Sequence, residues 1–191
     1  MESYSERARK INELYDRIHE TFKLRDRSAE HRERWSAACS EFHRRYDSLA
    51  FSACYDLDGG LKAHAQSAID ASISFLIADP YYFRSGYTKE YIWQHLPSCP
   101  IDDAQMEMIE AAAMRYLDRK PGREFWYMCR AMCRFGRASF WDRVNAETSS
   151  SDPERRQRAE FLFEYSKGMD RGQKLRREFQ RKWRMEKYGR R

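Results

Sequence analysis

A chain of 191 residues in which 41% are hydrophobic and 35% charged is long enough to bury a core and too apolar for full disorder. Its formal charge of +6 is unevenly spread: residues 166–191 hold eleven Lys or Arg against three Asp or Glu, a net of +8, so the remainder is slightly acidic. No apolar run reaches the roughly 20 residues of a spanning helix, because the best stretch, residues 68–78, is interrupted by Asp70, Ser72 and Ser74, and this excludes a helical channel or transporter.

The first helix is expected over residues 5–25, where Ile11, Leu14, Tyr15, Ile18 and Phe22 recur at three- and four-residue spacing. Ser28 is a cap by residue type and opens a second helix carrying the stripe Trp35, Cys39, Phe42, Tyr46 and Leu49. Without a breaker before the Asp56-Leu57-Asp58-Gly59-Gly60 turn, this helix runs nearly 29 residues, roughly 40 Å at about 1.5 Å per residue, and pairs with the first as a long hairpin. A third helix follows from Leu61 through Ala65, Ala68, Ile69, Ile73 and Leu76 to the stop at Asp79-Pro80.

Residues 81–87 form an aromatic connection, and Thr88 is expected to cap a short helix ending at Leu96. Asp102 or Asp103 opens the next helix, with Met106, Ile109, Ala113 and Tyr116 or Leu117 inward, and Pro121-Gly122 closes it. Residues 124–142 read as one helix in which Phe125, Met128, Cys129, Met132 and Phe140 lie beside Arg130, Arg134 and Arg137. Asp152-Pro153 is a start signal, an acidic cap followed by proline at the first helical position. Phe161, Leu162, Tyr165 and Met169 then face the body.

These elements predict an all-α, multi-helix bundle with a long N-terminal hairpin and a projecting C-terminal basic helix. The expected organisation is a hairpin over residues 1–58, a helical body over 59–165 and a basic helix or arm over 166–191. A short HEAT-like stack fits the same helix lengths, but no fixed-period repeat supports it. The polar residues 1–10 carry no apolar leader, and the five cysteines, Cys39, Cys54, Cys99, Cys129 and Cys133, do not form an even framework. Reduced thiols and a cytoplasmic setting are the expectation.

The basic segment carries the clearest functional signal. Leu175, Phe179 and Trp183 fall on one helical face at four-residue steps, flanked by Lys174, Arg176, Arg177, Arg181, Lys182, Arg184 and Lys187. Guanidinium groups bind phosphate in bidentate fashion, and aromatic side chains stack on bases, so this face suits nucleic acid. An acidic protein surface, including a second copy of the chain, fits the same stripe. A second candidate surface is Tyr81, Tyr82, Phe83, Arg84 and Tyr87, four aromatics and a cation in one short connection.

Enzymatic and metal chemistries find little support. His95 with Cys99, and Cys129 with Cys133, offer two pairs of zinc-type ligands at spacing four, yet the neighbours Phe125, Trp126, Met128 and Met132 make the latter pair core-like. The Asp56 turn fails as a calcium loop because its twelfth position is Ser67. No Gly-rich phosphate cradle, GxSxG elbow or HExxH helix occurs. His43 and His64 sit at the edges of apolar stripes, as helix-surface histidines do. Arg25-Asp26 followed by His31 resembles the motif of HEPN-type ribonucleases, a family of small all-helical proteins; the resemblance implies RNA cleavage by Arg25 and His31 at a dimer interface. The balance predicts a non-enzymatic adaptor that binds nucleic acid through its basic helix, without cofactor or metal. A helical protein–protein scaffold and a HEPN-like ribonuclease are the alternatives.

Overall fold

A computed structural model of the chain describes residues 2–51, 60–168, 174, 176–178 and 181. The architecture is all-helical, with no strand among the described residues. Two compact units divide the chain, Met1–Ile92 and Trp93–Arg191.

In the first unit, helix α1 (Tyr4–Phe22) begins with a capping box: the Ser3 hydroxyl accepts from Glu6 N–H, and the Glu6 carboxylate accepts from Ser3 N–H at 2.9 Å. Helix α2 (Ala29–Leu49) starts at its Ser28 cap, which accepts from His31 N–H. The two helices run antiparallel: Arg7 near the start of α1 reaches the end of α2, and Phe22 at the end of α1 meets Trp35 of α2. The expected 29-residue second helix is shorter than that. It stops at Leu49, where Ala50 turns to extended backbone. Arg7 takes the carbonyls of Leu49 at 2.7 Å and Ala50 at 2.9 Å, a tertiary partner for groups that a continuing helix would bond internally.

The single helix expected from Leu61 is likewise divided. Gly60–Ala63 is a 3-10 turn, His64 lies at φ 57°, and helix α3 (Gln66–Ala78) begins only after it. Asp79 closes α3 in the left-handed conformation, its N–H bonded to the Phe75 carbonyl, and Pro80 prevents continuation. Phe75 lies at the centre of this unit: it stacks on Phe51 at 4.5 Å and meets Tyr4 and Tyr82 edge-on. Ile11, Leu61, Ile69 and Ile73 complete the buried core.

Helix α4 (Ser85–His95) carries the chain from the first unit into the second. There, α5 (Asp103–Arg115) opens with a capping box of Asp102 and Gln105, and a 3-10 turn at Tyr116–Asp118 ends it. The helix expected over residues 124–142 is two helices, α6 (Arg123–Phe135) and α7 (Ala138–Glu147). The break is at Gly136, whose ψ of 131° is extended. A Cβ there would lie 2.7 Å from the Met132 carbonyl oxygen, so only glycine fits without displacing backbone. Glu110, buried in α5, accepts from Arg137 N–H at 3.3 Å and Arg137 Nε at 3.0 Å, and from Arg143 at 2.8 Å, fixing the corner from outside.

Helix α8 (Pro153–Ser166) begins at the expected Asp152 cap. Arg155 pairs with Glu147 at 2.6 Å and with Asp118, and Arg158 donates to the Leu117 carbonyl at 2.6 Å. The apolar side of α8, Ala159, Phe161, Leu162 and Tyr165, is buried with Phe125, Met128, Met132, Phe140 and Val144. No helix of the described residues is long and apolar enough to cross a membrane.

Candidate functional site

The basic segment is helical at Lys174, Arg176, Arg177, Glu178 and Arg181. At about 100° per residue, Lys174, Arg177 and Arg181 fall within about 60° of one another on the helix, and Arg176 points to roughly the opposite side. Exposure follows that division: Lys174, Arg177 and Arg181 are exposed, and Arg176 is half-buried. The Arg176 guanidinium lies 5.6 Å from the ring centroid of Trp126, a cation–π contact with α6. Trp126 is itself held edge-on by Phe125 and Phe161, and Phe161 leans on Tyr165. Burial pushes the Tyr165 hydroxyl above its ordinary value, with Arg176 acting in the opposite direction.

One side of the segment is thus attached to an aromatic bed while the other presents cations to water. No ion pair joins Lys174, Arg177 or Arg181 to a carboxylate among the described residues. The anchoring role of Arg176 on Trp126 is the contribution that sequence reasoning missed; it assigned Arg176 to the phosphate-binding set. Phe179, Lys182, Trp183 and Arg184, named with that set, lie outside the described residues, as do Leu175, Met169 and Lys187.

The second candidate surface is a tightly held turn. Tyr82 is buried, its hydroxyl accepting from Phe51 N–H at 3.3 Å. Phe83 stacks on Tyr15 at 5.0 Å and packs edge-on against Phe42 and Tyr46. The backbone is pinned from both helices of the antiparallel pair: Asn12 donates to the Tyr81 carbonyl at 2.8 Å, and the Tyr46 hydroxyl to the Phe83 carbonyl at 2.9 Å. Burial pushes the Tyr46 hydroxyl up to about 12. Arg84 adopts φ 66°, and its carbonyl accepts from Tyr87 N–H. This starts α4 at Ser85 rather than after the expected Thr88 cap, and the Ser85 hydroxyl accepts from Tyr82 N–H instead of capping. Tyr81 is 82% exposed, Tyr87 56% and Phe83 36%.

The residues that resemble the ribonuclease motif are not on one helix. Arg25 lies in the turn before Ser28, its guanidinium 3.9 Å from the Phe22 ring centroid and 3.3 Å from the Asp26 carboxylate. His31 belongs to the first turn of α2, with Nδ1 2.7 Å from the Ser28 hydroxyl. Cys129 is buried in α6, where burial raises its thiol and Cys133 adds to the effect; Cys133 itself is pushed up to about 11 by burial. The Cys99 thiol bonds the His95 carbonyl at 3.6 Å. Among the described residues no three His, Cys, Asp or Glu side chains are grouped to hold a metal. Cys54 and the turn at residues 56–59 lie outside the described residues. His43 is exposed on α2, and His64 occupies the break before α3 rather than a helix. No protein-family model matches this chain, and neither a curated protein nor a solved structure does.

Proposed function

We propose that this chain is a non-enzymatic adaptor that binds nucleic acid through its basic C-terminal helix. The observation that supports this reading is the stripe of Lys174, Arg177 and Arg181, exposed and without carboxylate partners among the described residues, on a segment whose other side rests on Trp126. From Lys174 to Arg181 the rise is about 10 Å, over which one strand of a duplex carries about three phosphates. Three cations therefore face about three phosphates over the same length. Phosphate contacts of this kind position a strand without reading its bases, which suits an adaptor with broad sequence tolerance.

Replacing both Arg177 and Arg181 with Glu is expected to weaken oligonucleotide binding by about 100-fold at low salt. The slope of log affinity against log salt should fall by about two, one unit for each lost phosphate contact. Wild-type affinity and slope in the double variant contradict the reading. They would redirect the stripe to an acidic protein surface.

A further inference from the structure

The turn between α3 and α4 departs from an ordinary connection in two ways. It exposes aromatic rings while its backbone is immobilised, and it places arginine where glycine is cheapest. Tyr81, Phe83 and Tyr87 stand among the large apolar side chains that remain exposed in the described residues. A connection that only sealed the core would turn Tyr81 and Tyr87 inward, as it does Tyr82 and much of Phe83. Arg84 holds φ 66°, a region that costs a non-glycine residue on the order of 1 kcal/mol. No carboxylate among the described residues pairs with it; its guanidinium lies 5.2 Å from the Phe83 ring centroid. Strain of this sort persists where surrounding structure imposes it, and here the hydrogen bonds donated by Asn12 and Tyr46 and the one that Ser85 accepts from Tyr82 N–H do so.

We infer that this turn is a stacking platform for an unpaired base, with Tyr81 receiving the base and Arg84 its phosphate. The inference rests on the nucleic-acid reading for its class of ligand and adds a base contact outside the basic helix. Tyr81 and Arg84, three positions apart in one turn, supply the one π face and the one cation that a stacked base and its phosphate need. Beside Tyr81 an open cleft of about 450 Å³ is bordered by Arg9, Asn12, Glu13, Asp16 and Asp79. Glu13 is paired with Arg9 and Asp79 with Lys89, which among the described residues leaves Asp16 to accept from the exocyclic amino group of adenine, cytosine or guanine at the edge of a ring stacked on Tyr81.

The test is an anisotropy titration of the full chain with a labelled single-stranded deoxyadenylate strand and an abasic strand carrying the same number of phosphates. Tyr81→Ala is expected to lose about ten-fold in affinity for the base-bearing strand and less than about two-fold for the abasic one. Arg84→Gly is expected to weaken both strands while its thermal midpoint stays at or above that of wild type, because glycine adopts this conformation without strain. Tyr81→Ala binding the deoxyadenylate strand as wild type does would overturn the inference and leave the basic helix as the binding element. Wild-type protein that binds neither strand would overturn both readings, and the turn would then stand as a surface for a protein partner.

Discussion

Phe75→Ala is expected to lower the free energy of unfolding by about 4 kcal/mol, measured by chemical denaturation followed at the helical circular-dichroism band. The ring is 1% exposed and touches aromatic neighbours from three parts of the first unit: Tyr4 of α1, Phe51 after α2 and Tyr82 of the turn. These neighbours are tied in turn by hydrogen bonds, Tyr4 to the Ala71 carbonyl and Tyr82 to Phe51, so they cannot collapse freely into the space left behind. Large-to-small changes are costliest where the site cannot relax. Phe75→Leu keeps most of the volume and should cost about half as much. Hydrogen exchange should show the loss first in α1 and α3. A Phe75→Ala variant within about 1 kcal/mol of wild type would show that these rings are not the centre of the unit.

Arg137→Ala is expected to destabilise the protein more than Glu110→Ala, which costs about 2 kcal/mol, although both break the Arg137–Glu110 pair. The asymmetry comes from burial. The Glu110 side chain is 1% exposed, whereas Arg137 is 34% and Arg143 48% exposed. Removing Arg137 leaves a buried carboxylate with a single guanidinium, and that charge has no water to turn to. Removing Glu110 releases two arginines that are already half-hydrated. The hydrogen bond to Glu110 also raises the Arg137 pKa further above a value that already keeps a guanidinium charged. Equal costs for the two variants would mean that solvent reaches Glu110 freely. Thermal or urea unfolding of the two variants side by side decides between these outcomes.

The helical class and many helix starts were legible because they rest on local chemistry. Ser28, Asp102 and Asp152-Pro153 are caps by residue type, and each caps the expected helix. The first helix needed only the spacing of Ile11 and Leu14, both buried in α1. The interruptions were less legible, since distant residues decide most of them. Arg7 takes the last carbonyls of α2, Glu110 takes the N–H after Gly136, and Tyr46 and Asn12 hold the turn that starts α4 at Ser85. Gly136 itself was a local signal that apolar spacing across residues 124–142 concealed. At the candidate sites the charge of the basic segment is a matter of composition and could be read directly. Which side faces water could not, because Trp126 lies 50 positions before Arg176. In the same way, four aromatics in residues 81–87 marked the turn as unusual. Only the fold separates buried Tyr82 from exposed Tyr81.

On this account the basic helix is the element without which nucleic acid is not captured, and the turn at residues 81–87 only adds to its hold. The most direct measurement is a fluorescence-anisotropy titration of labelled single-stranded and duplex oligonucleotides with the full chain and with a chain ending at Ser166, each at two salt concentrations. Binding by the full chain that weakens steeply with salt and is lost in the shorter chain is the predicted result. Equal binding by the two chains, or none by the full chain at low salt, would contradict it.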